Sequence, residues 1–78
     1  MTQLKARPLE WHKSDRIPEW TDDRMGFHIG LHDDLPANRQ YVAAWGEGDA
    51  EHFATLDDAK EWCQEQADAW VRENAVVV

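Results

Sequence analysis

The sequence predicts an α+β fold: a small antiparallel sheet of three or four strands with one C-terminal helix packed on one of its faces. Three observations carry that expectation. Residues 26–32 alternate, with Phe27, Ile29 and Leu31 on one side and Gly26, His28, Gly30 and His32 on the other. That is the period of a strand with one face buried. Residues 40–45 repeat it, with Tyr41, Ala43 and Trp45 on one face and Val42 and Ala44 on the other. From Thr55 onward the period lengthens to that of a helix. At about 100° per residue, Leu56, Ala59, Cys63, Ala67 and Trp70 share one face, with Val71 at its margin.

The remaining elements follow in chain order. Residues 1–7 are polar and expected to fray. Leu9 and Trp11 alternate with polar residues just after Pro8, a short strand. Residues 13–18 form a charged connector, and residues 19–21 a second short strand stopped by Asp22 and Asp23. Turn-forming residues dominate 33–38 and 46–49, and residues 51–54 offer a short last strand. Thr55 and Asp58 form a capping-box-like pair with Asp in place of the usual Glu. Asp57 and Asp58 also sit where the helix dipole favours negative charge. The helix is expected over residues 56–74. The apolar tail, residues 75–78, falls outside its pattern and either docks on the domain, pairs with another chain or stays loose. The predicted core is Phe27, Ile29, Leu31, Tyr41 or Val42, Leu56, Cys63 and Trp70.

With 78 residues, the chain is read as one domain spanning 1–78. A single cysteine excludes an intrachain disulfide and a cysteine-built zinc site, so apolar burial must carry the fold. Five tryptophans are the means. Each buries about 150–250 Å², worth at most roughly 4–6 kcal/mol. A lone thiol, no secretory signal and no apolar run long enough to span a bilayer point to the cytosol as the expected compartment.

Charge is unevenly spread. The net value is −8, yet residues 1–16 carry four basic residues against two acidic ones, while the rest holds fourteen acidic against four basic. Such a surface repels nucleic acid and anionic membranes, so neither is an expected partner, and it favours a basic protein surface. It also serves solubility alone.

No catalytic set emerges. Ser14 is the only serine and lacks a glycine elbow. Cys63 falls on the apolar stripe of an acidic helix, where a thiol behaves as a small hydrophobe. His28 and His32 share a strand face, but four residues of strand span about 13 Å, too far for one zinc with bonds of about 2.0–2.1 Å. His12 and His52 have no partner at metal-binding spacing. The Asp-Asp pairs at 22–23, 33–34 and 57–58 suit turns and a first helical turn, and none has EF-hand spacing. No catalytic, cofactor or metal residue is therefore expected, and the protein is not expected to be an enzyme.

Two features suggest an interaction surface. Asp58, Glu61, Glu65 and Asp68, with Asp57 beside them, rise about 15 Å along one side of the helix, a row of charge loosely like a nucleic-acid backbone. Trp62 stands at the edge of that row, off the core stripe, where a tryptophan can anchor an interface. A solvated helix face and an aromatic that closes the sheet edge are the plainer readings of the same residues.

Leu9-x-Trp11, Gly26-x-His28-Ile29, the aromatic strand from Tyr41 to Trp45 and above all Phe53-x-Thr55-Leu56-Asp57-Asp58-Ala59-Lys60 resemble small, mostly uncharacterised β-rich proteins of bacteriophages and prophages. The resemblance covers roughly residues 9–72. It implies an antiparallel sheet followed by one helix, and it assigns no catalytic residues. It also implies a mode of action, since small acidic phage proteins often bind and block a host protein, anti-CRISPR proteins among them. The expected function is thus a non-enzymatic, DNA-mimic-like inhibitor that binds a basic surface of a protein in the host cytosol. The partner-binding residues would be Asp57, Asp58, Glu61, Trp62, Glu65 and Asp68. The alternative is a small structural or assembly component that self-associates through a sheet edge or the C-terminal tail, and the chain is expected to be a monomer or a weak homodimer.

Overall fold

Five strands lie side by side in the order in which the chain makes them. They are β1 (Trp11–Lys13), β2 (Glu19–Asp22), β3 (Phe27–Leu31), β4 (Tyr41–Trp45) and β5 (Glu51–Phe53), all antiparallel to their neighbours. A 3-10 turn at Ala37–Arg39 precedes β4, and α1 (Leu56–Asn74) ends the described chain. The computed structural model describes residues 8–46, 48 and 50–74. The expected frayed start, residues 1–7, and the apolar tail, residues 75–78, lie outside the described residues. The α+β class is as the pattern predicts, with five strands rather than three or four. The three-residue β1 and β5 are the short strands that the pattern also offers after Pro8 and at residues 51–54, and with both present the sheet has five.

Register follows from the alternation. Ile29 pairs with Ala43 and Phe27 with Trp45, so the apolar positions of β3 and β4 fall on one face. Trp20 opposes Ile29, and Tyr41 opposes Phe53, extending the same face to both sides. The other face carries His12, Glu19, Thr21, His28, Gly30, Val42, Ala44 and His52, and α1 does not cover it.

The β2–β3 turn is held by one side chain. Asp22 Oδ2 accepts the Met25 N–H at 2.8 Å, and the Asp22 carbonyl accepts the Gly26 N–H at 3.1 Å. Gly26, at φ +82°, takes a left-handed conformation that a side chain would strain. Asp22, expected to stop β2, is instead its last residue and is 2 % exposed on the helix side of the sheet.

α1 begins where its cap places it. Thr55 Oγ1 accepts the Asp58 N–H at 3.1 Å, satisfying one donor of the first turn. At the other end Asn74 donates its side-chain amide to the Trp70 carbonyl at 2.9 Å. The helix lies across β3, β4 and β5, and its buried residues are Ala59, Cys63, Ala67 and Val71. The small residues let the helix axis come close to Ile29 and Ala43 beneath it.

This core corrects part of the predicted one. Phe27, Ile29 and Cys63 are fully buried, but Leu31, Tyr41, Val42, Leu56 and Trp70 are only half-buried. The stripe that faces the sheet is rotated toward Val71, expected only at its margin. Bulky aromatics instead ring the centre. Trp45 stacks on Phe27 at 4.7 Å, Trp70 meets Trp45 edge-on at 6.5 Å, and Trp20 leans on Tyr41 at 6.1 Å.

Candidate functional site: the solvent side of the helix

With Ala59, Cys63, Ala67 and Val71 committed to the sheet, helical geometry turns residues half a turn away outward. Asp57, Asp58, Glu61 and Glu65 are all exposed, and none forms an ion pair within the described residues. They leave a connected strip of negative charge, since positions three and four apart are surface neighbours. Asp68, at the far end, is half-buried, and its Oδ1 accepts from Gln64 Nε2 at 3.3 Å. The structure thus brings together four of the five acidic residues as open carboxylates and engages the fifth within the helix.

Gln64 has a second task. Its Oε1 accepts the Leu9 N–H at 2.9 Å, tying the segment before β1 to the middle of α1. Nothing in the local pattern announces a contact spanning 55 residues. It means that one flank of the acidic strip is met by the chain's own N-terminal segment.

Trp62 lies on the other flank, toward β5. Its ring packs against Phe53 at 5.9 Å and is half-buried. It closes the sheet edge and still presents part of its surface beside Asp58 and Glu65, its neighbours one turn away. The packing is that of an aromatic closing the sheet edge.

The groups considered for chemistry are dispersed. Cys63 is fully buried, and burial, reinforced by the charge of Asp22, pushes its thiol up to about 12. At neutral pH it keeps its proton and makes a poor nucleophile. All four histidines lie on the side away from the helix. His12 is 4.0 Å from Asp23 in an exposed pair, and His52 Nδ1 lies 3.2 Å from the Arg39 carbonyl. His32 follows the end of β3, and its ring folds back until Nε2 is 3.3 Å from where a Cβ on Gly30 would stand. Among the described residues, no three His, Cys, Asp or Glu side chains are placed to hold a metal ion. A shallow concavity of about 370 Å³ is lined by Glu19, Thr21, Asp22, Asp23, Gly26, Phe27 and His28. It holds no hydroxyl-base or carboxylate pair joined by a hydrogen bond.

No helix among the described residues is long and apolar enough to cross a membrane. Comparison with protein-family models, with curated proteins and with solved structures finds no match to this chain.

Proposed function

We propose that this chain is a non-enzymatic binding protein of bacteriophage or prophage origin. It acts in the host cytosol, laying the acidic side of α1 on a basic surface of a host protein and inhibiting it, as anti-CRISPR proteins and DNA mimics do. One observation carries the reading: Asp57, Asp58, Glu61 and Glu65 stand exposed and without ion-pair partners in the described chain. Carboxylates placed so spend no desolvation on internal contacts, and they steer a cationic partner from a distance set by the ionic strength. Trp62, at the rim, supplies the apolar contact that charge alone lacks.

The test is a pull-down from host lysate at low and high salt, with Glu61→Lys plus Glu65→Lys as the comparison. The expected result is a partner retained at low salt, released at high salt and lost to the double variant. Recovery of nothing at low salt, or equal recovery by the double variant, overturns the proposal.

A further inference from the structure

Among the described residues the sheet ends in two unpaired edges, β1 and β5, and they are not equivalent. In an antiparallel ladder, each residue sends both its backbone groups to the same neighbour, and successive residues alternate sides. The bonds flanking β3 fix this alternation. Leu31 N–H donates to the Pro18 carbonyl at 2.9 Å, and His32 N–H to the Gln40 carbonyl at 2.8 Å. Odd residues of β3 therefore bond to β2 and even ones to β4. Carried outward, Trp20 and Asp22 face β3 while Glu19 and Thr21 face β1, as Ser14 N–H to the Glu19 carbonyl at 2.8 Å agrees. His12 then bonds to Thr21, and the backbone groups of Trp11 and Lys13 point away from the sheet. By the same count only His52 of β5 points outward.

The geometry points to β1 as a self-pairing edge. The β1 strands of two copies run antiparallel about a two-fold axis at His12, placing Trp11 of each opposite Lys13 of the other. That register uses every outward N–H and C=O of the strand, and it joins two five-stranded sheets into one.

The distribution of charge selects a second copy as the occupant, and selects this edge. Two chains of net charge −8 repel, so they can approach only where charge is locally balanced. Around β1, Glu10 lies 3.8 Å from Arg24, while Lys13 and Arg16 offset Asp15 and Asp23. β5 carries exposed Glu51 beside the acidic helix, and among the described residues Arg39, next to His52, is the cation set against that charge. A lysine on an edge strand commonly guards against pairing. Lys13 is not placed to do so, because its ammonium folds back over the Trp20 ring at 5.9 Å and reaches the Ser14 carbonyl at 3.4 Å. A three-residue strand buries little area, so the pair is a weak dimer in exchange with monomer.

Sedimentation velocity on the whole chain, from micromolar to millimolar concentration, should show the weight-average coefficient climbing toward that of a dimer. Lys13→Pro removes an outward donor without touching a bond inside the sheet, and should hold the protein monomeric throughout. His12→Cys, made together with Cys63→Ala, gives a readout that does not depend on the proline variant folding. Facing residues at a non-hydrogen-bonded antiparallel position have Cα atoms about 4.5 Å apart, within disulfide reach. Mild oxidation should cross-link this variant into dimers, whereas His52→Cys in the same background should stay monomeric. A concentration-independent monomer overturns the inference, as does association of Lys13→Pro equal to the parent's. So does cross-linking through position 52 as ready as through position 12.

Discussion

Trp45 donates its indole N–H to the Met25 carbonyl at 2.6 Å while its ring stacks on Phe27. One side chain of β4 thereby fastens the turn that joins β2 to β3, twenty residues earlier in the chain. Trp45 is only half-buried, so its importance comes from this polar contact as much as from apolar area.

Trp45→Phe isolates the polar part, since it keeps a ring on Phe27 and deletes the donor. A cost of about 1–2 kcal/mol is expected, read as a fall in Tm of roughly 5–12 °C for a domain of this size. An unchanged Tm would mean that stacking alone fastens the turn.

The helix could be read from the sequence to within one side chain of its true orientation, and the reason for the error is physical. Trp70 drew the predicted stripe toward itself because it is the largest apolar residue in the last turns. Ala59, Cys63, Ala67 and Val71 are the helix residues buried with Ile29 and Ala43, so Val71 is inside and Trp70 sits at the rim. Val71→Ala should cost about 1–3 kcal/mol through lost contact and a residual cavity. Trp70→Ala should fall near the lower end of the usual range of about 3–5 kcal/mol, because it packs at the rim of the core and is only partly buried. Urea denaturation of the two variants checks the register. A Val71→Ala variant as stable as the parent would return the stripe to its predicted position.

Asp22 shows what pattern reading could not supply. An aspartate before a turn is expected, but nothing in the local pattern announces that it is buried, at 2 % exposed. Its Oδ1 has no hydrogen-bond partner among the described residues, and its charge adds to the burial that raises the Cys63 thiol to about 12 from an ordinary 9.0. The folded state therefore holds the thiol proton more tightly than the unfolded chain does. The sign follows: this contribution to stability is complete below about pH 9 and is lost as the pH climbs toward 12. Denaturation at about pH 8 and about pH 11 should show a steeper alkaline loss for the parent than for Cys63→Ala. Asp22→Asn should bring the thiol down by removing the nearby charge. Identical alkaline slopes for the parent and Cys63→Ala would show that the thiol is not so protected.

The acidic strip was legible from the sequence because its spacing and the buried stripe are two views of one helical period. The fates of Asp68 and Gln64 were not, since they depend on the segment before β1 returning to the helix. Asp68→Asn should therefore change partner binding less than Glu65→Gln does, by a factor of several in apparent affinity. Equal losses, measured by titration against the captured partner at low salt, would place Asp68 within the contact after all.

Trp62 separates an interface anchor from an edge cover. Its packing on Phe53 implies that Trp62→Ala costs stability, on the order of 1–3 kcal/mol for a half-buried aromatic. If its exposed part also enters the interface, affinity for the host partner should drop at least tenfold under conditions where the variant remains folded. Trp62→Phe divides the two effects, because a phenyl ring still reaches Phe53 but offers the partner less surface and no indole donor. That variant should retain most of the stability and lose a measurable share of the affinity. If Trp62→Phe binds as tightly as the parent and Trp62→Ala weakens binding only in proportion to its unfolded fraction, the residue only closes the β5 edge. The contact would then rest on the carboxylates alone.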